Sequence, residues 1–81
     1  MRDIKVEKGS KWRHFKGNII EVIEVGKSSE TLEELVIYKH NNEVWVRPLE
    51  MFLSSENIKN RTDNVTGQEY RFERIGKYDR Y

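Results

Sequence analysis

The sequence predicts a small all-β barrel of four to six short strands with a single helical turn. Three observations carry this expectation. Not one of the 81 residues is alanine. The apolar positions are mostly Val, Ile and aromatics, which suit a pleated, half-buried surface. No stretch keeps the i, i+3, i+4 apolar spacing of a helix for more than two turns. Closure of the sheet into a curled barrel would also remove exposed strand edges in so short a chain.

The elements follow in order. Ile19 to Val25 is a β-branched run broken by Glu21 and Glu24, and Gly26-Lys27-Ser28-Ser29 reads as the turn after it. Leu35-Val36-Ile37-Tyr38 is a second strand, His40-Asn41-Asn42 a tight turn, and Glu43-Val44-Trp45-Val46 a third strand. Pro48 ends that strand, because proline cannot donate a ladder hydrogen bond. Leu49 and Phe52 then stand three apart, as suits one helical turn that points both inward. Asn57 to Gly67 is a polar loop or loose hairpin, and Gln68 to Ile75 alternates as a last strand. Thr31-Leu32-Glu33-Glu34 matches a helix capping box, but the strand that follows at once leaves no helix to cap. The expected core is Phe15, Ile20, Val22, Leu35, Ile37, Val44, Val46, Leu49, Phe52 and Phe72, with Met51 added. Residues 1–8 form an N-terminal extension or edge strand, 9–75 the single domain, and 76–81 a flexible tail.

Length and composition bound the rest. Eighty-one residues hold one core. Leu, Ile, Val and Phe make up 21 of them, about a quarter, which is above the roughly 20% below which disorder sets in. The chain has no cysteine, so no disulfide and no thiolate metal site. It shows no apolar run of membrane-spanning length and no signal-peptide core, which leaves the cytoplasm as the simplest setting. Net charge is +1 but uneven. Residues 1–18 carry six basic side chains against two acids, and residues 19–34 carry one against five. A nucleic-acid-binding domain would show a clearer basic excess.

Three blocks resemble a known family: Trp12-Arg13-His14-Phe15-Lys16-Gly17-Asn18, Ser29 to Tyr38, and Trp45-Val46-Arg47-Pro48-Leu49-Glu50-Met51-Phe52. Their order and content are similar to the bacterial domain-of-unknown-function family numbered 1653, over about Gly9 to Ile75. The resemblance implies an SH3-like small β-barrel in a bacterial or phage protein, and it implies no reaction. The connection from Tyr38 to Trp45 looks shorter than is usual in that family. Trp12 stands where a tyrosine is more common.

Two clusters are candidates for chemistry. Arg13, His14 and Lys16 surround an aromatic and could clamp a phosphate or carboxylate, with Arg13 as a bidentate fork and Gly17 allowing close backbone approach. A plain edge strand, its cations solvated and Phe15 in the core, explains the same residues and weighs slightly more. Trp45 and Arg47 share a face of their strand, and an arginine beside an aromatic plane could hold a flat ring. The competing account makes Trp45 a core anchor and pairs Arg47 with Glu34 or Glu50. Glu30 and Glu34 would orient the arginines or accept from ligand hydroxyls, and Tyr38 completes the set. His14 and His40 lack metal-ligand spacing, so no metal and no other cofactor is expected. Without a nucleophile and its orienting partners, no catalytic residue is assigned.

The preferred reading is a non-enzymatic binding module for a small anionic or nucleotide-like ligand, with homo-oligomers a natural form for it. A peptide-binding, protein-interaction domain stands next, by fold analogy alone. An RNA- or DNA-contacting domain comes third, and a membrane partner is not expected.

Overall fold

The computed structural model describes residues 1–76; the expected flexible tail, apart from Gly76, lies outside the described residues. Five antiparallel strands form one sheet: β1 Lys11–His14, β2 Ile19–Lys27, β3 Glu34–His40, β4 Glu43–Pro48 and β5 Phe72–Gly76. Their order across the sheet is β4-β3-β2-β1-β5. The single helical turn, α1 Leu49–Phe52, follows Pro48 directly. Pro48 has an extended backbone (φ −54°, ψ 137°), so it ends β4 and starts α1 at one residue.

The sheet is strongly curled. In a flat sheet β4 and β5 would stand four strand spacings apart, about 19 Å. Instead the Arg47 guanidinium carbon on β4 lies 5.5 Å from the centroid of the Phe72 ring on β5. Tyr38 on β3 reaches the same ring at 5.9 Å. Side chains thus bridge the seam between the two edge strands, and no ladder joins those strands among the described residues. Phe52 of α1 fills the interior, stacked on Phe72 at 4.3 Å and 11° and edge-on to Trp12 at 5.1 Å.

A bulge sets the phase of β2. Register shifts between Val22 and Glu24, so Ile23 is the extra residue. Strict alternation from Ile20 and Val22 would have sent Val25 outward. The added residue reverses the phase, and Val25 packs against the core while Glu21 and Glu24 stay in solvent.

The core differs from expectation along β3 and β4. Val36 and Tyr38 are buried and Leu35 and Ile37 half-buried, because Tyr38 pairs with the buried Val22. Directly opposed residues share a face, so Trp45, opposite Tyr38, and Arg47, opposite Val36, face the concave side. Val44 and Val46 therefore point outward and are exposed, against the expectation that they enter the core. Met51 is exposed too, since one turn of helix turns only Leu49 and Phe52 inward. Phe15, Ile20, Val22, Phe52 and Phe72 are buried as expected, and Trp12, Leu53 and Ile58 join them.

The long segment between α1 and β5 is organised by two amides. The Asn64 amide donates to the carbonyls of Ile58 and Gln68, and its oxygen accepts from Thr66 and Gly67. Gln68, buried, donates to the carbonyls of Arg13 and Tyr70 and accepts from Arg13 Nε. The last strand accordingly starts at Phe72 and not at Gln68. Residues 1–10 form no strand, yet Val6 is in the core and the Arg2 N–H donates to Leu53 at 3.0 Å.

Candidate functional site

Curling brings one end of all five strands around a cleft of about 240 Å³. It is lined by His14, Lys16, Asn18, Ile20, Tyr38, His40, Trp45, Arg47 and Phe72. His14 comes from the end of β1. Lys16 and Asn18 come from the turn after it, where Gly17 adopts φ 99° and the His14 N–H donates to Asn18 at 2.8 Å. Tyr38 and His40 are alternate residues of β3, and Trp45 and Arg47 alternate residues of β4, so each pair presents one face. Phe72 forms the floor between them.

The cleft is cationic. Its lining holds Lys16, Arg47 and two histidines and no carboxylate. Burial is the main cause holding the His14 imidazole down to about 4, with Arg47, Lys16, His40 and Arg71 adding repulsion. His14 is therefore neutral at pH 7. Its Nδ1 accepts the Lys16 backbone N–H at 3.1 Å, which leaves the proton on Nε2. Two nitrogens of the lining residues, His40 Nε2 and Arg47 Nε, are buried without a hydrogen-bond partner, as is Arg2 Nε outside the cleft. Unsatisfied buried polar groups of this kind cost about 1–3 kcal/mol each. Such groups are few in folded proteins and call for an explanation.

Of the eight residues singled out from sequence, five line the cleft: His14, Lys16, Tyr38, Trp45 and Arg47. Arg13 does not. It neighbours His14 on an extended strand and so points to the opposite face, where its Nε is bonded to Gln68 Oε1 at 2.9 Å. Glu30 sits in the turn made by Ser28 and Thr31, and Glu34 opens β3 beside Leu49; neither lines the cleft. Arg47 forms no ion pair with Glu34 or Glu50. Trp45 is half-exposed at the rim and is no core anchor; that role belongs to Trp12, whose Nε1 donates to Ser10 Oγ at 2.9 Å. Sequence reasoning missed His40 as a cleft residue, although its place two residues after Tyr38 put it on the same strand face. No group of three metal-ligating side chains occurs among the described residues.

The fold and cleft define a small, curled, five-stranded β-domain with a cationic pocket at one end. The family model described as protein of unknown function (DUF1653) matches residues 10–74, and the chain belongs to that family. No curated protein and no solved structure matches the chain. No helix among the described residues is long and apolar enough to cross a membrane.

Proposed function

We propose that this chain is a non-enzymatic binding module whose cleft takes a small anion carried on a flat ring, such as a nucleotide-like phosphate. One observation carries the reading: a concave site gathers Arg47, His14, His40 and Lys16, the last also paired with Asp63 outside the cleft, and its lining holds no carboxylate. An anionic group in the cleft would balance the charge of Arg47 and Lys16, and charge-assisted hydrogen bonds are about twice as strong as neutral ones. Trp45, 47% exposed at the rim, offers an aromatic ring beside it. The cleft lies below the roughly 300–1,000 Å³ of drug-sized pockets, which favours one ring and one anionic group over a larger ligand. The cysteine-free sequence is consistent with a cytoplasmic bacterial or phage setting.

A protein-interaction role is the second reading, favoured by consecutive exposed apolar residues Val44, Trp45 and Val46 on an edge strand. A nucleic-acid role has less support. Lys8, Lys16, Arg61, Arg71 and Arg74 each pair with an acid and leave no continuous basic stripe among them.

Thermal denaturation against nucleoside monophosphates, cyclic dinucleotides and anionic metabolites tests the proposal. A ligand at about 100 times its Kd adds about 2.7 kcal/mol, a rise on the order of 10–20 °C in a domain this small. Arg47→Ala is expected to abolish that rise, from a ligand-free melt lowered by several degrees through loss of the Arg47–Phe72 contact, worth about 0.5–1 kcal/mol. If no anion shifts the wild-type melt at millimolar concentration, or if the variant responds as the wild type does, the cleft is not the site.

A further inference from the structure

We propose that the chain forms a two-fold homodimer by antiparallel pairing of β4 with β4 of a second copy, centred on Trp45. The inference is independent of what the cleft binds.

β4 is a sheet edge among the described residues, and both of its faces carry exposed apolar side chains. Val44 is 61% exposed, Trp45 47% and Val46 57%. The apolar middle of this edge, Val44-Trp45-Val46, is flanked by Glu43 on one side and Arg47-Pro48 on the other. The backbone fixes which groups it offers. Asn41 and Asn42 form a two-residue turn with φ 53° and 64°, the paired left-handed values of a type I′ hairpin. The residues flanking such a turn, His40 and Glu43, exchange their backbone hydrogen bonds, and pairs alternate from there. Glu43, Trp45 and Arg47 thus spend their N–H and C=O groups on β3. Those of Val44 and Val46 point to the free edge.

One register satisfies these groups best. Antiparallel pairing about Trp45 sets Val44 against the partner's Val46, and Val46 against the partner's Val44. That arrangement makes four backbone hydrogen bonds and two valine contacts on the outer face. It also sets Glu43 opposite the partner's Arg47, twice by symmetry. The segment Glu43-Val44-Trp45-Val46-Arg47 is therefore complementary to itself when reversed: acid to base, valine to valine, tryptophan to tryptophan. Sliding by two residues one way sets Val44 against Val44, leaves one such pair, and puts Glu43 against Trp45. Sliding the other way sets Val44 against Pro48, which has no N–H to give. In the centred register the two Trp45 residues meet as a non-hydrogen-bonded pair, with Cα atoms about 4.5 Å apart. Trp45 lines the rim of the cleft, so the partner's Trp45 would extend that rim and bring two clefts side by side on one ten-stranded sheet. The guanidinium of Arg47 has five N–H donors, enough for the partner's carboxylate at the rim and an anion within. A pairing of one short strand buries less than a standard interface, so the dimer is concentration-dependent.

Sedimentation velocity and cysteine crosslinking test this directly. At about 1 mM the wild type is expected to sediment near twice its 9.8 kDa chain mass, and to shift toward monomer at about 10 µM. Val44→Lys and Glu43→Arg are expected to give monomer throughout with an unchanged melt, and Glu43→Arg/Arg47→Glu to regain the dimer. The chain has no cysteine of its own, so W45C is expected to oxidise rapidly to a covalent dimer, since its Cα separation lies within disulfide range. V44C and V46C should crosslink slowly, each being offset from its own copy. A wild type that stays monomeric at 1 mM overturns the proposal, as does a dimer indifferent to Val44→Lys. Faster crosslinking of V44C or V46C than of W45C overturns the register. The cleft proposal is read separately, from anion-dependent melting of the monomeric Val44→Lys variant.

Discussion

The Arg47 guanidinium on β4 lies over the Phe72 ring on β5, 5.5 Å from its centroid, although those strands are the two ends of the sheet. The contact is the side-chain closure of an otherwise open barrel. It also aims a cation into the cleft while leaving Arg47 Nε unpaired. Cation–π contacts contribute about 0.5–1 kcal/mol at exposed sites and more when desolvated. Arg47→Lys is therefore expected to keep the charge, lose the bidentate fork, and weaken anion binding without abolishing it, as measured by calorimetric titration.

Phe52 carries more of the fold than any other residue of α1. It stacks on Phe72, meets Trp12 edge-on and is fully buried. Phe52→Ala is expected to cost about 3–5 kcal/mol, close to the whole stability of a domain this small. Its exposed neighbour sets the contrast: Met51→Ala should stay within about 0.5 kcal/mol. Urea denaturation of the two variants checks the difference, and equal losses would place Phe52 outside the core.

Gln68 is the hinge of the loop before β5. Gln68→Ala leaves the Arg13 and Tyr70 carbonyls and the Arg13 Nε without their partner. A loss of about 1–3 kcal/mol is expected, and hydrogen exchange should quicken first in residues 58–71. Unchanged exchange there would show that the loop is held by other contacts.

Leu32 adopts φ 63°, in the left-handed region that a branched side chain disfavours, and is 70% exposed, so little packing offsets the strain. Leu32→Gly is expected to stabilise the domain, by up to about 1 kcal/mol, and Leu32→Val to destabilise it. Thermal melts of the pair decide the sign.

His14 makes stability depend on pH. Its ordinary value is 6.5 and burial lowers it to about 4 in the fold. Between those values the unfolded chain binds the extra proton, so stability rises with pH across that window and is flat above it. The wild type should lose on the order of 1–2 kcal/mol from pH 6.5 to 4 through this residue, after allowance for solvent screening. His14→Gln should remove that part of the slope. An anion in the cleft opposes the surrounding cations and raises the His14 value. Binding should then take up protons and tighten as pH falls from 7 toward 5, which calorimetry in buffers of different ionisation enthalpy would register.

Strands β2, β3 and β4, the turns, the single helical turn after Pro48 and the all-β class follow from local chemistry: β-branched runs, an Asn-Asn turn and a proline. The start of β5 at Phe72 depends instead on the tertiary bonds of Gln68. The shared face of Trp45 and Arg47 follows from the two-residue period of a strand; the same period parts Arg13 from His14, against the expectation that both belong to one clamp. Tertiary structure alone decided which face of β3 and β4 is interior. Val44, Val46, Leu35 and Ile37 are as apolar as the residues that are buried, and a strand with apolar side chains on both faces leaves its orientation open. Pairing with Val22, the bulge at Ile23 and the bulk of Phe52 selected Val36 and Tyr38. The meeting of His14 with His40, and of Arg47 with Phe72, likewise depends on how far the sheet curls. That curl is set by packing between residues distant along the chain, which no local pattern in the sequence contains.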